Sequence, residues 1–195
     1  MQDLIHATFA AHVAVLNDTA ALAPDIARFA EQIGVCLGRG GRVFWMGNGG
    51  SAADCQHLAA ELVGRFERER PGLASIALTT DSSILTSVAN DYGFESVFAR
   101  QVEALCRDGD VLVGLSTSGN SANVLRAMER AAGRGVFRVG LTGAGGGRLA
   151  ETCELCLTVP SGVTARVQEA HIVIGHIVCD LVERQVTGTG GQGPR

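Results

Sequence analysis

Residues 42–62 read RVFWMGNGGSAADCQHLAAEL and decide the fold, because a short apolar strand, a glycine-rich loop and a helical pattern follow one another directly. The strand is predicted over 42–46 and the helix over about 52–66. Further apolar strands, with helical patterns between them, are predicted over 75–79, 111–115, 137–141 and 155–159. This alternation is typical of a parallel sheet covered on both faces. We therefore predict an α/β fold, a doubly wound five-stranded parallel sheet in a flavodoxin-like sandwich.

Both ends of the chain have patterns of their own. Apolar positions recur at helical spacing over 2–22 and 25–38, with Pro24 between them, which predicts an N-terminal helical hairpin. A last helix is predicted over about 165–185. The tail, 187–195, is rich in glycine and has no large apolar side chain to bury, so we expect it to be disordered. A chain of 195 residues that is 46% hydrophobic suits one domain, over residues 1–186.

The composition excludes several classes of function. All 16 basic residues are arginine, and the absence of lysine excludes Schiff-base catalysis, pyridoxal phosphate attachment and a Walker-type phosphate loop. A net charge of -4, with one Trp and one Tyr, argues against a nucleic-acid partner. The longest apolar stretch contains His171, His176 and Asp180, which predicts a buried helix and no membrane span. Because no basic residue precedes Arg28, no secretory signal is expected, and we place the protein in the cytoplasm.

Open parallel sheets bind their ligands at the loops that follow the carboxyl ends of the strands. Two of these loops have an unusual composition. The first, Gly47-Asn48-Gly49-Gly50-Ser51, has three glycines that let the backbone approach a ligand. With Ala52 it also matches the dinucleotide fingerprint G-x-G-x-x-A, but the acidic residue expected about twenty positions later is missing, since Asp81 comes too late. A tight turn and a ligand loop therefore both remain open for this segment.

The second loop, residues 116–121, places four hydroxyl groups before a helix: those of Ser116, Thr117, Ser118 and Ser121. One hydroxyl is enough to cap a helix. Several hydroxyl and N–H groups at a helix N-terminus, where the helix dipole is positive, bind a phosphate dianion. Because the chain has no lysine, we predict that this loop is its phosphate site.

Candidate acids and bases lie on two helices. His57 and Glu61 are four residues apart, so they share one helix face, either as a solvated pair or as a pair facing a ligand. On the last helix, Gln168 and His176 are eight residues apart, about 12 Å along the axis, and could flank one cavity from its two ends. Buried histidines often only bind a carbonyl group. Asn90-Asp91 closes another helix, where an ordinary C-terminal cap is the alternative.

Taken together, these motifs occur in one order that resembles the phosphoheptose isomerases of the sugar isomerase (SIS) domain family. The motifs are Gly47-Asn48-Gly49-Gly50-Ser51, His57-x-x-x-Glu61, Asn90-Asp91-Tyr92-Gly93, Ser116-Thr117-Ser118-Gly119-Asn120-Ser121 and Gln168-Glu169-x-His171. The resemblance extends from the N-terminal helices to Gln185. The serine-rich loop is shared across the SIS family, whereas the combination of His57, Glu61, Gln168 and His176 is more specific.

The resemblance implies an aldose–ketose isomerase that converts D-sedoheptulose 7-phosphate to D-glycero-D-manno-heptose 7-phosphate, for lipopolysaccharide or related surface glycans. It implies a homotetramer with active sites at subunit interfaces, and one zinc ion per subunit. The implied zinc ligands are His57, Glu61, Gln168 and His176. The implied substrate contacts are Asn48, Gly49, Gly50, Ser51, Glu61, Asn90, Asp91, Ser116, Thr117, Ser118, Ser121 and Gln168.

Proton transfer between C1 and C2 through a cis-enediol requires a carboxylate base and an acid near the two oxygens. We assign Glu61 as the base and His176 as the acid. A carboxylate bound to zinc is a poorer base, so either Glu61 shifts while the metal orients substrate oxygens, or the zinc is mainly structural or inhibitory. Gln168 is an uncommon zinc ligand that spacing alone does not predict.

Two alternatives belong to other classes of protein. One is a noncatalytic SIS protein that binds a replication initiator or senses a sugar phosphate; such relatives lack the residues that match Glu61 and His176. The other is a small nucleotide-dependent dehydrogenase, which the late Asp81 disfavours.

Overall fold

The computed structural model describes residues 1–188, so most of the predicted glycine-rich tail, 189–195, lies outside the described residues. Its sheet has five parallel strands in the order β2-β1-β3-β4-β5. The strands are β1 (Val43–Gly47), β2 (Ser75–Ala77), β3 (Val111–Ser116), β4 (Phe137–Thr142) and β5 (Leu155–Thr158). The predicted doubly wound α/β fold is confirmed, including its five strands.

The helices occur where helical spacing predicts them. They are α1 (Gln2–Thr19), α2 (Ala23–Gly38), α3 (Gly50–Val63), α4 (Ser82–Tyr92), α5 (Val97–Leu105), α6 (Ala122–Ala131), α7 (Leu149–Thr152) and α8 (Thr164–Thr187), with 3-10 turns at Ala20–Leu22 and Phe94–Ser96. Helix α4 includes Asn90 and Asp91, which the sequence places at its end, and it stops at Gly93, whose φ of +83° favours glycine. Helix α8 ends at Thr187, two residues later than predicted.

Alternate side chains of β1 pack into two separate hydrophobic cores, one on each face of the sheet. Val43 and Trp45 pack with α2, α3 and α8, and the Trp45 Nε1–H donates to Ser75 Oγ at 2.8 Å. Phe44 and Met46 pack with α5, α6 and α7 on the other face. Because both faces are covered, the strands are apolar along their whole length, which is why they read as continuous hydrophobic runs in the sequence.

The N-terminal helices depart from a simple hairpin. A 3-10 turn joins α1 to α2, and each of these helices makes its most extensive contacts with α8 instead of with the other. A hydrogen bond between His12 Nδ1 and Glu169 Oε2, 2.6 Å apart, connects α1 to α8. Most of α1 is exposed, including Leu4, Phe9 and Val13.

The strand order places the two predicted ligand loops side by side. The chain continues from β1 outward to β2 on one side and from β3 outward to β4 on the other, so the loops after β1 and β3 meet at the topological switch point. This crevice at the carboxyl ends of the strands is where folds of this type bind ligands. Within residues 1–188, no helix is both long enough and apolar enough to cross a bilayer.

Candidate active site and metal site

Three predicted site residues from two helices meet in space. His57 and Glu61 lie one turn apart on α3, and the His57 Nε2 is 3.2 Å from Glu61 Oε1. His176 comes from α8, and its Nε2 is 3.0 Å from the His57 Nε2. We call these three residues the triad. The interpretation of His57 and Glu61 as only a solvated pair does not explain why a histidine 119 residues away joins them.

Close packing of α3 against α8 forms the triad. Both helices run in the same direction here, since Gly50 meets Gln168 near their starts and His57 meets His176 about two turns later. Gly175 allows this approach, because a Cβ at this position would lie 2.4 Å from Leu58 Cδ2. Gly50 does the same at the other end, where a Cβ would lie 2.8 Å from Gln168 Nε2.

The triad has the donor types and the spacing of a zinc site. Zinc is bound by imidazole nitrogen and carboxylate oxygen at about 2.0–2.2 Å, so the ligand atoms of a tetrahedral site lie about 3.3 Å from one another. The three ligand atoms here all lie within 4.8 Å of one another, with the two contacts of 3.0 and 3.2 Å already near that spacing. Among the His, Cys, Asp and Glu side chains of residues 1–188, no other group of three has such a spacing. The residues therefore fit a divalent transition metal.

Gln168, the predicted fourth ligand, lies at the start of the α3–α8 contact, with its amide against Gly50. Eight residues of α8 separate it from His176, which is about 12 Å along the helix axis. The two residues thus lie at opposite ends of the contact between α3 and α8. The zinc-ligand role of Gln168 stays a prediction.

Two residues beside the triad were not singled out in the sequence. Asp54, one turn before His57 on α3, is close enough for both imidazoles to act on its charge; burial raises the pKa of Asp54, against the attraction of His57 and His176. Phe66 follows α3 and lies against His176, with ring centroids 5.5 Å apart. Helical spacing could have found Asp54, which shares the face of His57, but no local signal marks Phe66.

The serine-rich loop 116–121 has an arrangement unlike a simple helix cap. Ser121 is the N-cap of α6, yet its side chain makes no capping bond and its Oγ lies 2.9 Å from Ser116 Oγ. Gly119 has a φ of +66°, which turns the backbone sharply between Ser118 and Asn120. Hydroxyl groups therefore gather in front of a helix N-terminus whose first N–H groups Ser121 does not cap, as a phosphate site requires.

The glycine-rich loop is tied to the serine-rich loop by a pair of side chains. Asn48 Nδ2–H donates to Asn123 Oδ1 at 2.9 Å, and Asn123 Nδ2–H donates to Asn48 Oδ1 at 2.8 Å. Gly49, with a φ of +57°, is the N-cap of α3, and Ser51 is buried in the first turn of that helix. Asn123 was missed because it reads as an ordinary residue of a predicted helix.

Asn90 and Asp91 are predicted substrate contacts that lie on α4, apart from the triad. They lie in the last turn of α4, both exposed, with Asn90 Nδ2–H donating to Asp91 Oδ1 at 2.8 Å. Helix α4 packs mainly on α5 and on the 3-10 turn at Phe94–Ser96, and not on α3 or α8. Their substrate-binding role stays a prediction, and it requires either a neighbouring subunit or a ligand that extends to α4.

Comparison with known proteins shows the family of the chain. Residues 9–143 match the SIS domain family. The chain is 59% identical to the phosphoheptose isomerase of Roseiflexus sp. strain RS-1 over 162 residues, 83% of this chain and 82% of that protein. It is 50% identical to the phosphoheptose isomerase of Helicobacter hepaticus over 97% of both chains. The chain belongs to the phosphoheptose isomerase family of SIS domain proteins.

A solved structure in the same family supports the assignment. The phosphoheptose isomerase from Neisseria gonorrhoeae superposes with a TM-score of 0.88 at 45% identity, covering 93% of this chain and 98% of that one. As a phosphoheptose isomerase family member, the chain is a sugar-phosphate isomerase. The family match covers α3 and its loop but ends before α8, so the triad contact with His176 comes from the structure and not from that match.

Proposed function

We propose that this chain converts D-sedoheptulose 7-phosphate to D-glycero-D-manno-heptose 7-phosphate, the first step of activated-heptose synthesis for lipopolysaccharide or another surface glycan. The observation that carries the proposal is the convergence of Glu61 and His176 from two helices, α3 and α8, whose contact begins at the ligand loops, where Gly50 meets Gln168. The names and identities of its relatives support the same reaction.

The chemistry requires one base and one acid. Glu61 removes a proton from C1 of the ketose and returns it to C2, passing through a cis-enediol. His176 supplies a proton to O2 as the enediol forms, and it takes up the proton that leaves O1 as the aldehyde forms, which restores the acid. Glu61 is 24% exposed at its side chain, so solvent is partly excluded but a substrate can reach it.

The serine-rich loop binds the phosphate in this proposal, and Asn48 to Ser51 bind the sugar chain between the phosphate and the triad. The reciprocal pair of Asn48 and Asn123 holds the two loops at a fixed separation. Seven residues of α3 separate Gly50 from His57, about 10 Å along the helix, a span that suits a sugar whose reacting carbons lie far from its phosphate.

His57, Glu61 and His176 would hold one zinc ion per subunit. Gln168 stays the predicted fourth ligand, and because it lies about 12 Å along α8 from His176, its amide would have to leave Gly50 to reach that ion. When bound, zinc polarises the oxygens of a substrate. The contribution of the protein residues is to place two imidazole nitrogens and one carboxylate oxygen within 4.8 Å of one another.

We further propose that the enzyme is a cytoplasmic homotetramer with active sites at subunit interfaces. The outward side chains of α1, Leu4, Ile5, Phe9 and Val13, are 49 to 72% exposed, which leaves a row of apolar groups for a second copy to cover. His57, at 49% side-chain exposure, also leaves the triad open on one side in a single chain.

The test is turnover of sedoheptulose 7-phosphate by the purified protein, with and without zinc and after chelation, with the aldose product trapped. Glu61→Gln keeps the shape of the side chain, and we expect it to lower kcat by orders of magnitude while the oligomer stays folded. Glu31→Gln, at an exposed site on α2, is the matched control. Near-normal turnover by Glu61→Gln would refute the assignment of Glu61 as the base. Binding of the sugar phosphate without turnover by the unmodified protein would favour the noncatalytic SIS alternative.

A further inference from the structure

Behind the triad lies a buried carboxylate that the proposed reaction does not use. Glu183, on α8 two turns beyond His176, has a fully buried side chain. Its oxygens accept three backbone N–H bonds, from Phe66 at 2.7 Å and from Glu67 and Arg68 at 2.9 Å each. Burial alone would raise the pKa of Glu183, but these bonds and Arg70 outweigh it and the pKa is lowered, so the group is a carboxylate at neutral pH.

Arg70 completes the arrangement from the opposite side. Its side chain is only 2% exposed, and its Nη2 lies 3.1 Å from Glu183 Oε1. The same guanidinium donates to the last carbonyls of α3: Nη2–H to Glu61 O at 2.8 Å, and Nη1–H to Leu62 O at 2.7 Å and Gly64 O at 3.1 Å. Carbonyl groups at a helix C-terminus lack intrahelical partners, so Arg70 holds the end of the helix that carries His57 and Glu61.

These bonds reach the triad by two routes. One runs from Glu183 through Arg70 to the peptide carbonyl of Glu61 itself. The other runs from Glu183 to the N–H of Phe66, whose ring lies against the imidazole of His176 at 5.5 Å between centroids. The same carboxylate thus fixes the backbone of the proposed base and the packing partner of the proposed acid.

We propose that Glu183 and Arg70 are positioning residues for the triad, acting on Glu61 through its backbone and on His176 through Phe66. This inference rests on the proposed function. Groups that orient metal ligands typically contribute 10–100-fold to metal affinity when tested by mutation. A role confined to anchoring the segment 64–70 would lower the thermal stability and leave the affinity of the folded protein for metal unchanged.

The chain offers a matched control at the other end of the sheet. Asp110 is also a buried carboxylate, 2% exposed, that accepts backbone N–H bonds, from Arg42 and Arg107 at 2.8 Å each. It too pairs with an arginine, at 2.9 Å from Arg42 Nη2. Asp110 precedes β3 at the amino ends of the strands, away from the ligand loops. Asp110→Asn therefore makes the same chemical change as Glu183→Gln without touching the triad.

The experiment measures zinc affinity by competition with a chromophoric chelator, along with Tm, kcat and KM, for Glu183→Gln, Arg70→Lys, Phe66→Leu and Asp110→Asn. We expect Glu183→Gln and Arg70→Lys to weaken zinc binding at least tenfold and to lower kcat more than KM changes. Phe66→Leu keeps the backbone anchor, and we expect a smaller loss of zinc affinity, of a few fold. Asp110→Asn should lower Tm and leave zinc affinity within twofold.

The proposal is overturned if Glu183→Gln and Arg70→Lys lose stability like Asp110→Asn while their zinc affinity stays within twofold of the unmodified chain. Should Glu183→Gln not fold, Arg70→Lys decides the question alone. The zinc measurement needs no turnover, so a chain that binds zinc without isomerising the heptose would refute the proposed function and still decide the roles of Glu183 and Arg70.

Discussion

Replacing Gly175 with alanine tests whether the close contact of α3 and α8 makes the site. The new Cβ would lie 2.4 and 2.6 Å from the two δ carbons of Leu58 and 3.1 Å from its Cγ. Carbon atoms in good contact are about 3.5–4.0 Å apart, so the helices or the side chain must give way by roughly 1 Å. Leu58 is fully buried, so its side chain cannot turn out into solvent. We therefore expect α8 to move away from α3.

The displacement is large on the scale that the triad tolerates. Metal–ligand distances hold to about 0.2 Å, and a misplacement of about 1 Å at a reacting centre can reduce the rate about 100-fold. Overpacking of a core costs about 1–3 kcal/mol, and alanine recovers up to about 1 kcal/mol through its higher helix propensity. We expect zinc affinity to fall at least tenfold and kcat by about 100-fold. The net loss of about 0–3 kcal/mol in stability should lower Tm by no more than about 12 °C, since 1 kcal/mol corresponds to about 2–4 °C for a chain of this size.

The assay is a zinc competition titration, with turnover and thermal unfolding on the same preparations. Gly38→Ala, at the end of α2, is the control, because a Cβ added there would have no other atom within 4 Å. Leu58→Val removes one carbon from the clash, so the double variant Gly175→Ala, Leu58→Val should recover most of the zinc affinity. Zinc affinity and kcat within twofold of normal in Gly175→Ala would refute the reasoning, since the helices would then not set the geometry.

Three further predictions concern other parts of the molecule. Ser118→Ala should raise KM about tenfold or more with little change in kcat, because a hydrogen bond to a charged group contributes about 1.5–3 kcal/mol; an unchanged KM would take the phosphate away from this loop. Burial lowers the pKa of His171 to about 4, so below about pH 6.5 the unfolded chain binds a proton that the folded chain does not bind. The free energy of unfolding should therefore fall by about 3 kcal/mol as the pH is lowered from about 6.5 to about 4. Urea titrations of His171→Gln should lack this dependence of the unfolding free energy on pH. Phe9→Asp, at a side chain that is 67% exposed, should leave the subunit folded and dissociate the oligomer, as light scattering would show; an intact tetramer would place the interface elsewhere.

The fold could be predicted almost entirely from local patterns. Strand, glycine loop and helix succeed one another over 42–62 with strong signals for each, and the structure places β1 and α3 there. Boundaries were less accurate where the signal is weak: α4 runs on to Tyr92 because Asn90 and Asp91 continue a helix as well as they end one. The arrangement of α1 and α2 depends on α8, over a hundred residues away, so spacing within 2–38 could not show it.

The site could be predicted only in part, for the same physical reason. His57 and Glu61 were found because helical spacing is a local property. Asn123 and Phe66 act through contacts with Asn48 and His176, and those contacts exist only after distant segments pack. Glu183 reads as one more acid on an amphipathic helix, whereas in the structure it is buried and accepts three backbone N–H bonds.

Helix α3 connects the two ends of the candidate site, the ligand loops and the triad. The helix begins at the glycine-rich loop, which Asn48 and Asn123 connect to the serine-rich loop, and it carries Glu61 about three turns later. In the proposed reaction, this one helix would set the separation between a phosphate bound in front of α6 and a reacting carbon at Glu61. Gly175 sets how closely His176 approaches α3, so the packing that buries Leu58 would also select where along a sugar phosphate the proton is moved.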